Sequence, residues 1–150
     1  MAETLRLPGW EELPDFGLYM DQLLTYADRT VPGEITAGMI NSYVKSGLLA
    51  RPERKKYARE SLAQLLMVGL LKPVLPLESL RQLLHPASGA DTRNLYEALR
   101  AGLEKREQAP PPEESALDCA LEAALYQRAC RRMLEETDKE ADAPCNSAKE

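Results

Sequence analysis

The apolar positions of this chain follow helical periods almost throughout, with proline and glycine marking the breaks. Pro8, Gly9 and Pro14 around Trp10 predict an extended arm at the start, with Trp10 packing it onto the body. From Asp15, the residues Phe16, Met20, Leu23, Leu24 and Ala27 fall on one face of an amphipathic helix reaching about Arg29, and Pro32 and Gly33 break it. A second helix is expected from Thr36, whose hydroxyl can cap the first turn, to about Ser46, with Gly47 as its left-handed terminator. Met39, Ile40, Tyr43 and Val44 form its apolar stripe and leave Thr36, Asn41, Ser42 and Lys45 on the other side. Leu48 to Tyr57 (LLARPERKKY), with Pro52 in its middle, reads as an exposed loop or short hairpin.

From about Arg59 to Lys72 the chain is helical and nearly all apolar. Gln64 is the only polar residue between Leu62 and Leu71, so this helix belongs at the centre of the fold. Pro73 ends it, because the residue before a proline avoids the helical region. Pro76 suits the first turn of a short fourth helix carrying Leu77, Leu80, Leu83 and Leu84. His85 is read as its C-terminal residue, favoured there by the helix dipole. Asp91 is expected to cap a fifth helix with Leu95, Leu99 and Leu103 along one stripe. These elements make a first domain, residues 1–107. Residues 108–114 (QAPPPEE) read as a proline-rich linker. Residues 115–137 read as an amphipathic helix presenting Leu117, Leu121, Ala124, Leu125 and Met133. Residues 138–150 lack apolar content and are expected to be disordered. The fold class is all-α.

Composition removes several functions. No apolar run approaches the ~20 residues needed to span a bilayer, and Glu3, Arg6, Pro8 and Gly9 interrupt any signal peptide, so a cytoplasmic protein is expected. With one histidine, three cysteines (Cys119, Cys130 and Cys145) and no CxxC pair, neither a disulfide framework nor a structural metal site is expected, and no cofactor is implied. GxSxG, HExxH and GxGxxG are all absent, and no nucleophile, base and orienter set can be assembled, so an enzyme is not expected. Cys119 and Cys130 share a face of one helix but lie ~16 Å apart by helical rise and cannot bridge within it. Pairing between two antiparallel helices is the redox alternative to two reduced cysteines.

The net charge is −5, yet residues 34–72 carry seven basic groups against three acidic ones. Residues 1–33 carry six acidic groups against two basic, and residues 108–150 ten against five. A basic segment inside an acidic protein points to a polyanion. A helix fits the major groove, and its outer polar side chains can reach base edges. A basic loop beside it can neutralise phosphates. Thr36, Asn41, Ser42 and Lys45 would serve the first task, and Arg51, Arg54, Lys55 and Lys56 the second. Tyr43 and Tyr57 would have rings at the core edge and hydroxyls free for phosphate. The resulting expectation is a double-stranded DNA reader acting as a homodimer through its last helix. The rival from another class is a protein-interaction adaptor whose ligand face is that acidic helix.

The run from Ile35 to Leu84 resembles the winged helix-turn-helix of MerR-type transcriptional regulators. In those proteins the recognition helix ends in a tyrosine, a few residues and Gly-Leu-Leu, a basic wing closes on Arg-x-Tyr, and a long and a short helix follow. Tyr43, Gly47-Leu48-Leu49, Lys55-Lys56-Tyr57 and Leu77-Glu78-Ser79-Leu80 stand at the matching places. The opening LPGWEELPDFGLYMDQLL resembles a group of uncharacterised bacterial MerR-like proteins, known as a domain of unknown function. The likeness covers roughly residues 5–107 and implies a winged fold and a regulatory role. Departures are Asn41-Ser42 in place of the usual Arg-Tyr pair, a shorter loop without a Gly-Tyr step, and Ala58 and Pro76 where capping serines are usual.

Overall fold

The computed structural model describes residues 5–31, 33–84, 89–108 and 115–142. A single-turn 3-10 helix (Trp10–Glu12) precedes α1 (Met20–Thr30), α2 (Ala37–Lys45), α3 (Arg59–Leu71), α4 (Leu77–Leu84), α5 (Gly89–Glu107) and α6 (Ala116–Asp142). Among the described residues only isolated bridges accompany these helices, so the fold is all-α. The chain divides into two compact units, residues 1–111 and 112–150.

In the first unit α3 is the central element, as its composition predicts. Every residue from Ser61 to Gly69 is buried, because a helix without a polar face must be covered on all sides. It packs against α1, α4 and α5. Leu80 and Leu84 of α4 are buried, while Leu77 and Leu83 stay exposed. The α5 stripe differs from expectation. Thr92 and Tyr96 form its buried line, and Leu95, Leu99 and Leu103 are half-buried beside it. Asp91 falls inside α5, which begins at Gly89, and not at a cap position.

The N-terminal arm is a clasp on α5. Leu7, Trp10 and Leu13 are buried, and the Trp10 ring meets Tyr96 edge-on at 6.1 Å. The Trp10 backbone N–H donates to Glu97 Oε1 at 2.8 Å, Arg100 Nε donates to the Leu7 carbonyl at 3.2 Å, and the Tyr96 hydroxyl donates to the Pro8 carbonyl. Trp10 therefore anchors the arm, as its position among prolines suggested.

Helix α1 begins at Met20, five residues later than its periodicity implies. The segment before it is extended because Leu18 exchanges two backbone hydrogen bonds with Tyr57, and its direction leaves Phe16 exposed, outside the apolar face assigned to it. The Tyr19 N–H then donates to Gln22 Oε1 at 3.0 Å and closes the start of α1. Helix α6 continues to Asp142, beyond its expected end near Glu136. Its polar final turns consist largely of good helix formers, so the lack of apolar residues did not stop it. Ser115 caps its first turn, accepting from the Asp118 N–H at 3.0 Å. The readings of Pro32, His85, residues 109–114, Cys145 and residues 143–150 lie outside the described residues.

Burial raises the hydroxyl pKa values of Tyr26, Tyr43 and Tyr96 above the ordinary 10.0, and Glu12 adds to the rise at Tyr26. In the unfolded chain these phenols ionise near 10, while in the folded protein they stay protonated to higher pH. Their contribution to stability is complete below about pH 10 and is lost as pH rises beyond it. Urea midpoints measured across this range should be set by other groups below about pH 10 and fall steadily above it.

Candidate nucleic-acid interface

Helix α2 forms where the sequence signals placed it. Thr36 Oγ1 accepts the Met39 N–H at 3.2 Å, and Gly47, at φ +82°, ends the helix in the left-handed conformation. The Tyr43 carbonyl accepts from both Leu48 and Leu49, which turns the chain sharply after the helix. Ile40 and Tyr43 are buried and Met39 and Val44 half-buried. Gly38, Asn41, Ser42 and Lys45, spaced i, i+3, i+4 and i+7, form the exposed face, with Thr36 exposed at its start.

The following segment is only partly the exposed loop expected. Leu48 and Leu49 are buried, and Ala50 is gripped by α3: Gln64 Oε1 accepts its N–H at 2.9 Å and the Ser61 hydroxyl donates to its carbonyl at 3.2 Å. Gln64 also donates to Thr92 Oγ1 of α5 at 3.5 Å. Buried polar groups need such partners. Gln64, the one polar residue of α3 between Leu62 and Leu71, thus helps Ser61 fix where the basic segment leaves the core, a role the sequence reading did not assign.

Beyond Pro52 the chain makes a two-residue turn. Glu53 and Lys56 exchange backbone hydrogen bonds of 3.0 and 2.9 Å. Arg54 and Lys55 occupy the corner at φ 51° and 68°, the left-handed region that a type I′ turn demands and that Asn-Gly normally fills. Two consecutive cations are held where L-residues are strained, at about 1–2 kcal/mol each. The base of the turn is tied down at Tyr57, whose N–H donates to the Leu18 carbonyl at 2.7 Å and whose carbonyl accepts the Leu18 N–H at 2.9 Å. Gly17 makes this approach possible: a Cβ there would lie 2.6 Å from Lys56 Cβ. Lys56 Nζ lies 5.3 Å from the centre of the Tyr19 ring.

Eight of the ten sequence-derived site residues are exposed: Thr36, Asn41, Ser42, Lys45, Arg51, Arg54, Lys55 and Lys56. Tyr43 and Tyr57 are buried, at 7% and 4% exposure, and belong to the core that carries the others. The charge pairing is selective. Arg59 binds Glu11 and Asp15 at 3.7 Å each and lies over Trp10 at 5.7 Å, and Arg93 binds Glu11 at 2.7 Å. Arg81 and Arg100 pair within their own helices. Among the described residues, Lys45, Arg51, Arg54, Lys55 and Lys56 make no ion pair with a carboxylate. Carboxylates of the acidic arm are thus engaged by arginines outside the turn.

Residues 8–99 match a family described as a domain of unknown function, DUF1836. The chain belongs to the DUF1836 family. The DUF1836 match runs from the arm into α5, so it takes in α2, the basic turn and the contacts that position them, and it ends before α6. No curated protein and no solved structure matches the chain. No helix among the described residues is long and apolar enough to cross a membrane.

Proposed function

We propose that this protein is a MerR-like winged helix-turn-helix regulator that binds double-stranded DNA as a cytoplasmic homodimer. One observation carries the reading: exposed cations, without carboxylate partners among the described residues, on a strained two-residue turn just after a helix with an exposed polar face. Strain of this kind persists where it serves a placement. In this reading α2 is the recognition helix. Asn41, Ser42 and Lys45 address base edges, and Thr36 stands at the helix start near the backbone. The turn at Arg54-Lys55 is a minimal wing, and Arg51, Arg54, Lys55 and Lys56 contact phosphates. Tyr43 and Tyr57 are structural supports of helix and wing. No cofactor enters the reading, and no small-molecule effector is assigned.

Titrating the full chain against fragmented genomic DNA at two salt concentrations tests this. With four to five phosphate contacts the logarithm of affinity should fall with the logarithm of salt at a slope near −4. Weak, salt-independent retention would leave the adaptor reading as the better one.

A further inference from the structure

The two corner residues of the basic turn border different clefts. Arg54 lines one together with Arg51, Lys56 and Gln64, and Lys55 lines the other. This second cleft, of about 550 Å³, lies between the start of α1 and the turn. Tyr19, Met20, Leu24, Pro52 and Tyr57 form its walls. Tyr19 is 47% exposed, and Met20, Leu24 and Pro52 are only half-buried. Of the described residues that line the cleft, Asp21 and Lys55 are the charged ones. Lys55 has no carboxylate partner among the described residues, and Lys56, equally unpaired, lies 5.3 Å from the centre of the Tyr19 ring. Clefts that hold small molecules measure about 300–1,000 Å³, are mostly apolar, and orient their ligand with a few polar groups.

We propose that this cleft binds a small aromatic carboxylate, an apolar body with one negative group. The body packs against Tyr19, Met20, Leu24 and Pro52, and the carboxylate pairs with Lys55, with the Lys56 ammonium close behind the Tyr19 ring. The sign of the ligand follows from the charges present. Two unpaired lysines outweigh Asp21, which stands in the first turn of α1, where the helix dipole already favours it. The carboxylate of the ligand is therefore turned away from α1 and toward the basic turn. Binding follows from the cleft alone. Its consequence rests on the DNA reading above: a ligand on Lys55 removes a phosphate contact, so it acts as an effector that loosens the protein from duplex DNA.

Benzoate and 1-naphthoate, titrated at constant ionic strength into the isotope-labelled full chain, test the site by NMR. The backbone amide signals of Tyr19, Met20, Leu24 and Tyr57 should shift saturably, with a dissociation constant of about 0.1–1 mM for naphthoate. Naphthamide and naphthylmethylamine, similar in shape but neutral and cationic, should bind about tenfold more weakly or worse. Lys55→Ala should lose about tenfold in naphthoate affinity. Met20→Asp sets a carboxylate into the cleft at the first position of α1, where an acid suits the helix, and should abolish saturation without lowering the melting temperature. No saturation with either carboxylate, shifts confined to other residues, or equal binding of the amide or amine would overturn the site. Saturating naphthoate should also weaken duplex binding severalfold in the parent and leave Met20→Asp at its own starting affinity. A chain that binds naphthoate but no duplex keeps the site and overturns the DNA reading. A chain that binds both without interference overturns the effector role.

Discussion

Lys55→Glu combined with Lys56→Glu is expected to weaken duplex binding by on the order of 100-fold and to flatten its salt dependence by about two units of slope. Both lysines are exposed, and neither has a carboxylate partner among the described residues. Reversing them removes two phosphate contacts and sets two negative charges against the backbone. The fold should tolerate the change. It gives up the approach of Lys56 to the Tyr19 ring, worth about 0.5–1 kcal/mol at an exposed site. Lys105→Glu with Arg106→Glu, at the end of α5, makes the same change in net charge away from the turn and serves as the control. Gel-shift titrations should show weakened binding in the first variant only. Equal weakening in both would mean that total charge, and not the turn, governs binding. An adaptor would keep its protein partner through either change.

The second large effect has opposite signs in two measurements. Arg54→Asn with Lys55→Gly supplies the residues that a type I′ turn prefers, in place of two held at φ 51° and 68°. Relief of that strain should stabilise the protein by about 2 kcal/mol, seen as a rise in melting temperature of roughly 4–8 °C. The same variant removes two cations from the turn and should lose tenfold or more in duplex affinity. A sequence shaped for stability alone would already carry Asn-Gly here. A variant that melts higher and binds DNA as well as the parent would remove Arg54 and Lys55 from the interface.

Where the signals are local, the fold was legible. The Thr36 cap, the Gly47 terminator and the nearly all-apolar run of α3 each act within a few residues, and the structure follows them. The signals failed where distant backbone decides. Phe16 fits the period of α1, but Leu18 is held extended by Tyr57, so the helix cannot begin until Met20. Arg54-Lys55 carries no turn preference of its own. Its conformation is imposed from both ends, by Gln64 and Ser61 on Ala50 and by Leu18 on Tyr57. The candidate site was legible as a set of residue types, because charge and helical facing are sequence properties. Its strain, the burial of Tyr43 and Tyr57 and the positioning role of Gln64 depend on contacts that no pattern along the chain records.

The arm that clasps α5 also sets the timing of folding during synthesis. Trp10 leaves the ribosome early, but its backbone partner on Glu97 lies 87 positions downstream. At elongation rates of roughly 5–20 residues per second, the arm waits several seconds before α5 emerges to receive it. Until then only Arg59 at the start of α3 is at hand to hold it, through Glu11, Asp15 and the Trp10 ring. A chain released before α5 is complete lacks Tyr96, Glu97 and Arg100, the three groups that hold the backbone of the arm in place.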